Sequence, residues 1–300
     1  MLAGSHIMAT GKLNELDSSN HQFSFILLSD IHVSENEGKL EKLENFISFY
    51  NINLAAQTDF VVTTGDNVSY LLTDRMHSMD KPGNNQLRSF VQVMSGLEDP
   101  YYLGMGNHEY KIDKDRDADG AFPKSEILCA EKIWKNETGL KPYYSFGNGE
   151  YTLLFLNTMR GRYHDRFFDD KQINWLDNKL GKSTKVLLFL HHPFETDLIP
   201  YWYKKEYGTI TKDIEPEFYE LLVRYSNKIM GVFTGHGHEW IHDTILHTIN
   251  VWQTASFGDN DEFAFYVVTI SSSGIQVDRS IQGPWFEGFN PIIVEQDERN

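Results

Sequence analysis

A single cysteine, Cys129, stands in a chain of 300 residues. One thiol excludes both an intrachain disulfide framework and a thiolate-rich zinc site, so any metal must be held by nitrogen and oxygen. Long hydrophobic runs are missing as well. No apolar stretch approaches the roughly 20 residues that a membrane-spanning helix needs, and no membrane span is expected. Positive charge is scarce: lysine and arginine number 27 against 43 aspartates and glutamates, a net of −16. Such a surface repels a nucleic-acid backbone unless a basic strip or metal ions intervene. Internal repeats, low-complexity tracts and composition shifts that would mark a linker are also absent.

What is present suits a large core: 40% of residues are hydrophobic, 14% are aromatic, and twelve histidines supply nitrogen donors. The opening "MLAGSHIM" reads as the remnant of an expression tag. Residues 1–11 are therefore set aside, and 12–300 are taken as one domain. A native leader is not excluded, which leaves the compartment open between cytoplasm and export. Nothing in the composition indicates an oligomeric state.

Short apolar runs alternate with segments of helical periodicity. "FSFILLSD" (Phe23–Asp30), "DFVVTTGD" (Asp59–Asp66), "PYYLGMGN" (Pro100–Asn107), "YTLLFLNT" (Tyr151–Thr158), "KVLLFLHHP" (Lys185–Pro193) and "IMGVFTGHGH" (Ile229–His238) read as strands. Helical segments follow most of them. From Ile245 onward helices cease, and "INVWQTASF", "FAFYVVTIS" and "GIQVDRSI" read as three antiparallel strands. The pattern predicts an α/β fold with two packed mixed β-sheets flanked by helices. Residues 111–140, charged and containing "KDRDADG", read as a surface insertion.

Chemistry gathers where the apolar runs end. Asp30 and His32 follow the first, Asp66 the second, Asn107 and His108 the third; His191 closes "KVLLFLHHP", and His236 and His238 close "IMGVFTGHGH". Open α/β sheets bind ligands outside the carboxyl ends of their strands. Five strands here deliver a carboxylate, carboxamide or imidazole to one edge. Imidazole with carboxylate suits divalent manganese, iron, zinc or nickel, whereas calcium and magnesium favour oxygen. Seven or eight such groups are too many for one ion and enough for two, the arrangement that clamps phosphoryl oxygens.

These blocks, Asp-x-His, Gly-Asp, Gly-Asn-His-Glu, His and Gly-His-x-His in order, resemble the calcineurin-like metallophosphoesterase superfamily over Asp30–His238. The resemblance implies a four-layer α/β/β/α sandwich and a metal-dependent phosphoric ester hydrolase. It implies two divalent transition-metal ions. Asp30, His32 and His238 would hold the first, Asn107, His191 and His236 the second, and Asp66 would bridge them. A hydroxide shared by the ions would attack phosphorus in line, while His108 would assist the leaving group. Ser69 stands where many members carry Asp or Arg, and Met105 where protein Ser/Thr phosphatases carry Arg. Purple acid phosphatases lack a histidine equivalent to His32. The expected substrate is thus a small-molecule phosphate mono- or diester. A nuclease of the same superfamily and a non-catalytic metal-binding scaffold are the rival readings.

Other groups have plainer expectations. His192 reads as lying outside the metal shell, and His164, His242 and His247 as structural. Arg160, Arg162 and Arg166 could grip a phosphate, but a solvated loop balancing Asp165, Asp169 and Asp170 is the reading adopted. Tyr110 and "PYWYKKEY" (Pro200–Tyr207) could wall a pocket.

Overall fold

A computed structural model describes residues 23–34, 38–72, 85–113, 115, 122–198, 208–272 and 274–282. The tag segment, most of "KDRDADG" and all but Gly208 of 199–208 lie outside them, so the aromatic stretch 200–207 has no structural account here. Eleven strands among the described residues form two sheets. The first has order β11-β10-β1-β2-β3, from β1 (Phe23–Leu28), β2 (Phe60–Thr63), β3 (Tyr101–Leu103), β10 (Phe263–Ser271) and β11 (Gly274–Gln282). The second has order β4-β5-β6-β7-β9-β8. It comprises β4 (Tyr144–Asn148), β5 (Tyr151–Phe155), β6 (Lys185–Phe189), β7 (Ile229–Thr234), β8 (Ile241–Ile245) and β9 (Ile249–Gln253). Both sheets are mixed. β1, β2 and β3 run parallel in one, and β5, β6, β7 and β9 run parallel in the other, with antiparallel neighbours outside them.

β1 explains why its sequence is apolar throughout. Phe23, Phe25 and Leu27 point into the layer between the sheets, while Ile26 and Leu28 point under helices on the outer face. Both faces are buried, so the usual alternation with polar residues disappears. Helices α1 (Lys39–Asn53), α2 (Gln86–Met94) and α3 (Lys124–Thr138) cover the first sheet through residues such as Phe46, Phe90 and Trp134. Helices α4 (Asp170–Lys182) and α5 (Pro216–Arg224) cover the second through Leu176, Leu180, Phe218 and Leu222. The result is the four-layer α/β/β/α sandwich expected.

Between the sheets lies an aromatic layer. Phe155, Phe189, Phe233 and Trp252 occupy matched positions on four adjacent parallel strands, and their rings stack at 4.8, 5.2 and 5.2 Å. Phe25 of the opposite sheet meets Phe189 and Phe233 edge-on, both at 5.7 Å. Rings in this offset and T-shaped geometry add to the burial term.

Three details differ from the sequence reading. Within 111–140, the residues of α3 are helical, and Ile127, Ala130, Ile133 and Trp134 are buried, so this part of the expected insertion packs into the core. β9 belongs to the second sheet and runs parallel to β7, whereas β10 and β11 form an antiparallel pair in the first. β4 and β8, both edge strands, were not anticipated. Among the described residues no helix is long and apolar enough to cross a membrane.

Candidate metal centre

The parallel pairing of β1 and β2 does not stop at the strand ends. Asp30 N donates to Gly65 O (3.1 Å), His32 N to Asp66 O (2.9 Å) and Val33 N to Asn67 O (3.0 Å). Held this way, the chain turns sharply. Eight non-glycine described residues have positive φ, and five are Asp30, His32, Asp66, His236 and His238, at 52–69°. Asp and His tolerate this left-handed region better than most, yet each such residue still costs about 1–2 kcal/mol. Five such residues around one point are a feature of a functional site. Glycine supplies the clearance beneath them. A Cβ on Gly106 would overlap the Asp66 carboxylate, and one on Gly235 would overlap Ser29 and crowd Asp30.

All eight expected residues, Asp30, His32, Asp66, Asn107, His108, His191, His236 and His238, meet at this carboxyl edge. His238 Nε2 lies 3.3 Å from Asp30 Oδ1 and 3.3 Å from His32 Nε2. His191 Nε2 lies 3.1 Å from Asp66 Oδ2, and His236 Nδ1 lies 3.2 Å from both His191 Nε2 and Asn107 Oδ1. Donor atoms of Asp30, His32 and His238 form one cluster within 4.8 Å, and those of Asp66, His191 and His236 form another. Asp66 Oδ2 also stands 3.8 Å from His32 Nε2, so it faces both groups.

The donor set fits two cations. Ligands 2.0–2.1 Å from a shared ion and roughly 90–110° apart are separated by about 3.0–3.4 Å, the spacing of the first five pairs given above, while Asp30 Oδ1 and His32 Nε2 stand wider, at 3.8 Å. Asp30 Oδ1 is buried, and its polar neighbours are the imidazole nitrogens of His238 (3.3 Å), His32 (3.8 Å) and His191 (3.9 Å), an arrangement that suits a shared cation.

Electrostatics in the ion-free chain tell the same story. Burial would raise the Asp66 carboxyl, but His191, His108 and His32 outweigh it and hold the group well below the usual carboxylate range. His191 is raised to about 9, since Asp66 and Asp30 overcome its burial. His238 is raised to about 10, as hydrogen bonds to Asp259 and Asp30 overcome burial. Burial dominates at His32 and pushes it down to about 4. The carboxylates around His191 and His238 thus favour positive charge at these positions, and a bound ion would compete with protons there.

His108 has a different setting. Its Nδ1 is 2.8 Å from the Ser69 carbonyl, its backbone N donates to Asp66 Oδ1 (2.9 Å), and a quarter of its side chain is exposed. Nε2 lies 3.9 Å from Asp66 Oδ2. The imidazole therefore stands between the Asp66 carboxylate and solvent. Ser69 contributes the acceptor for Nδ1 through its backbone, and its hydroxyl donates to the His32 carbonyl (2.8 Å).

Two residues escaped sequence reasoning. Glu109, fully buried, accepts from Gly106 N (2.6 Å) and Asp66 N (3.0 Å) through Oε2, and from Asn67 N (2.7 Å) through Oε1. It ties the two glycine turns together. Burial, with the neighbouring Asp66, raises its pKa to about 7. Its signal was the acidic residue closing the Gly-Asn-His-Glu block. Asp259, 2.8 Å from His238 Nδ1, was missed because β9 was assigned to an antiparallel set.

The remaining candidates take ordinary places. His192 is buried behind His236, rings 4.4 Å apart, with Nδ1 2.6 Å from Thr158 Oγ1. Arg160 pairs with Glu131 (2.5 Å) and Asp169 (2.9 Å), and Arg166 with Asp170, Glu215 and Glu217. Tyr110 is buried and donates to Glu131 (3.1 Å). His164, His242 and His247 lie outside the cluster.

An α/β/β/α sandwich with Asp and His donors gathered at the shared carboxyl edge of its sheets is the architecture of metallophosphoesterases. The chain belongs to the calcineurin-like phosphoesterase family, whose profile matches residues 23–240. Solved structures share the fold at low identity. A dimetal phosphatase from Danio rerio is 14% identical, with TM-score 0.58, 86% of this chain and 95% of that one covered. A purple acid phosphatase from yellow lupin (Lupinus luteus) seeds is 13% identical, TM-score 0.58, covering 89% and 52%. A putative 5'-nucleotidase from Staphylococcus aureus is 17% identical, TM-score 0.51, covering 90% and 55%. No curated protein sequence matches.

Proposed function

We propose that the chain is a dinuclear-metal phosphoesterase that hydrolyses small-molecule phosphate mono- or diesters. Asp30, His32 and His238 would hold one ion, Asn107, His191 and His236 the other, and Asp66 would serve both. Manganese, iron, zinc and nickel all suit this donor set. The observation that carries the reading is the meeting of these donors at one edge: Asp30, His32 and His238 cluster, Asp66, His191 and His236 cluster with Asn107 beside them, and Asp66 also clusters with His32 and His108.

When bound, two such ions neutralise phosphoryl oxygens and acidify a water for in-line attack on phosphorus. The chain's own residues do the rest. Asp30 and Asp66, each with one oxygen fixed by a backbone N–H from His236 or His108, present the other oxygen inward. His108 donates Nδ1–H to the Ser69 carbonyl, and in its imidazolium form it would also carry a proton on Nε2 to pass to the departing alcohol, returning to the neutral Nδ1–H tautomer. Glu109 keeps the Asp66 and Asn107 turns at fixed separation. The net charge of −16 disfavours a nucleic-acid substrate, and Met105 replaces the arginine of protein phosphatases.

The test combines composition with rate. Gently purified protein should carry close to two transition-metal ions per chain by elemental analysis. It should hydrolyse nitrophenyl phosphate or bis-nitrophenyl phosphate with manganese, zinc, iron or nickel added. Asp66→Asn should lose both metal and activity. Absence of metal in the parent, with no gain on adding manganese, would reject the reading.

A further inference from the structure

Beyond the last profile-matched residue, the second sheet adds one more strand end to the same edge. β9 finishes at Gln253, and the loop "TASFGDND" (Thr254–Asp261) folds back across the first sheet. Phe257 N donates to Ser29 O (2.9 Å) and Gly258 N to Asp30 O (2.9 Å). Ser256 Oγ donates to Asp30 O (2.9 Å) and accepts from Asp259 N (3.0 Å). Gly258 lies so close that a Cβ there would strike the Ile31 carbonyl. Two lysines of α1 hold the loop from the other side: Lys39 Nζ donates to Asp259 Oδ1 (2.9 Å), and Lys42 Nζ to Phe257 O (2.5 Å).

The carboxylate so fixed has its other oxygen on an imidazole. Asp259 Oδ2 is 2.8 Å from His238 Nδ1, while His238 Nε2 points the opposite way, at Asp30 Oδ1 and His32 Nε2. Metal-ligating histidines commonly donate their outer N–H to a carboxylate, which sets the tautomer and aims the ring. His238 has particular need of this. Its side chain is 40% exposed, against 7% for His32 and 0% for His191, so surrounding atoms do not hold it as they hold those two.

We propose that Asp259 is a positioning residue for His238, braced by Lys39, and that it sets the affinity of the Asp30–His32–His238 subsite for its cation. The inference rests on the two-ion reading above and concerns one subsite only.

Calorimetric titration of the chelator-treated full chain with manganese tests it. The parent should show two binding events, and His238→Ala should remove one. Asp259→Ala should weaken that same event by about 10–100-fold, the usual range for such outer carboxylates, and leave the other within about twofold. Asp259→Asn, whose carboxamide oxygen still accepts from Nδ1–H, should weaken it less. The double variant Asp259→Ala/His238→Ala should match His238→Ala alone. Two unchanged events in Asp259→Ala would overturn the proposal while the two-ion reading stands, even if the melting temperature of the ion-free chain shifts. Should Asp259→Ala weaken both events through misfolding, an unchanged event in a folded Asp259→Leu, which also lacks an acceptor for Nδ1–H, would overturn it. A parent that binds no manganese would overturn both.

Discussion

His108 owes its orientation to neighbours. The Ser69 carbonyl takes Nδ1–H and the Asp66 carboxylate takes the backbone N–H, so the ring is aimed from outside itself. Truncation to alanine removes the proton donor and leaves the backbone hydrogen bond to Asp66 in place. His108→Ala should therefore lower turnover of nitrophenyl phosphate by about 10²–10⁴, with metal content by elemental analysis unchanged. An unaltered rate would remove His108 from the chemistry. At this scale the sequence was informative about donors only jointly: one histidine or aspartate after an apolar run is an ordinary turn or core residue, whereas five strand ends that each carry a donor are not. It marked Glu109 only as the acidic residue that closes the Gly-Asn-His-Glu block, with no role attached, and was silent about Asp259. These act through hydrogen bonds to residues that are neighbours only after folding, and a lone acidic residue in a loop carries no periodic mark. The left-handed turns at Asp30, His32 and Asp66 were hidden too, since only glycine advertises that conformation in a sequence.

The elements show where pattern reading succeeds and where it fails. β1, β2, β6 and β7 were legible because burial on both faces leaves an unbroken apolar run. β8, "IHDTI", alternates with polar residues at an exposed edge, and β4, "YSFGN", contains glycine; neither stands out from a loop. The pairing of β9 with β7 depends on a crossover that local sequence does not encode. α3 was read from its charges, yet its apolar residues fall on one face. Trp134 sits at the centre of that face with no exposure, in contact with the core under the first sheet. Trp134→Ala should lower unfolding stability by about 3–5 kcal/mol, measured by urea denaturation. A loss below about 0.5 kcal/mol, the ordinary range for a surface substitution, would show that α3 is peripheral after all.

The whole molecule joins two sheets that share no strand ladder. Backbone contacts at the carboxyl edge, such as Phe257 N to Ser29 O, and the aromatic layer of Phe25, Phe189, Phe233 and Trp252 carry the connection. Cations taken up by the folded chain stabilise it by mass action, about 2.7 kcal/mol for an ion at 100 times its Kd. With two ions contributing together about 5.4 kcal/mol and each kilocalorie moving Tm by about 2–4 °C in chains of this size, EDTA should lower the melting temperature by roughly 10–20 °C in scanning calorimetry. Restored manganese should recover it. A midpoint indifferent to both would argue against ion binding in the native state.

Each proposed ion takes donors from both halves of the sandwich: Asp30 and His32 with His238, and Asn107 with His191 and His236. The pair would act as rivets through two plates. Any slip of one plate over the other would stretch both coordination shells together, so the interlocked rings beneath them double as the gauge that keeps the rivet holes aligned.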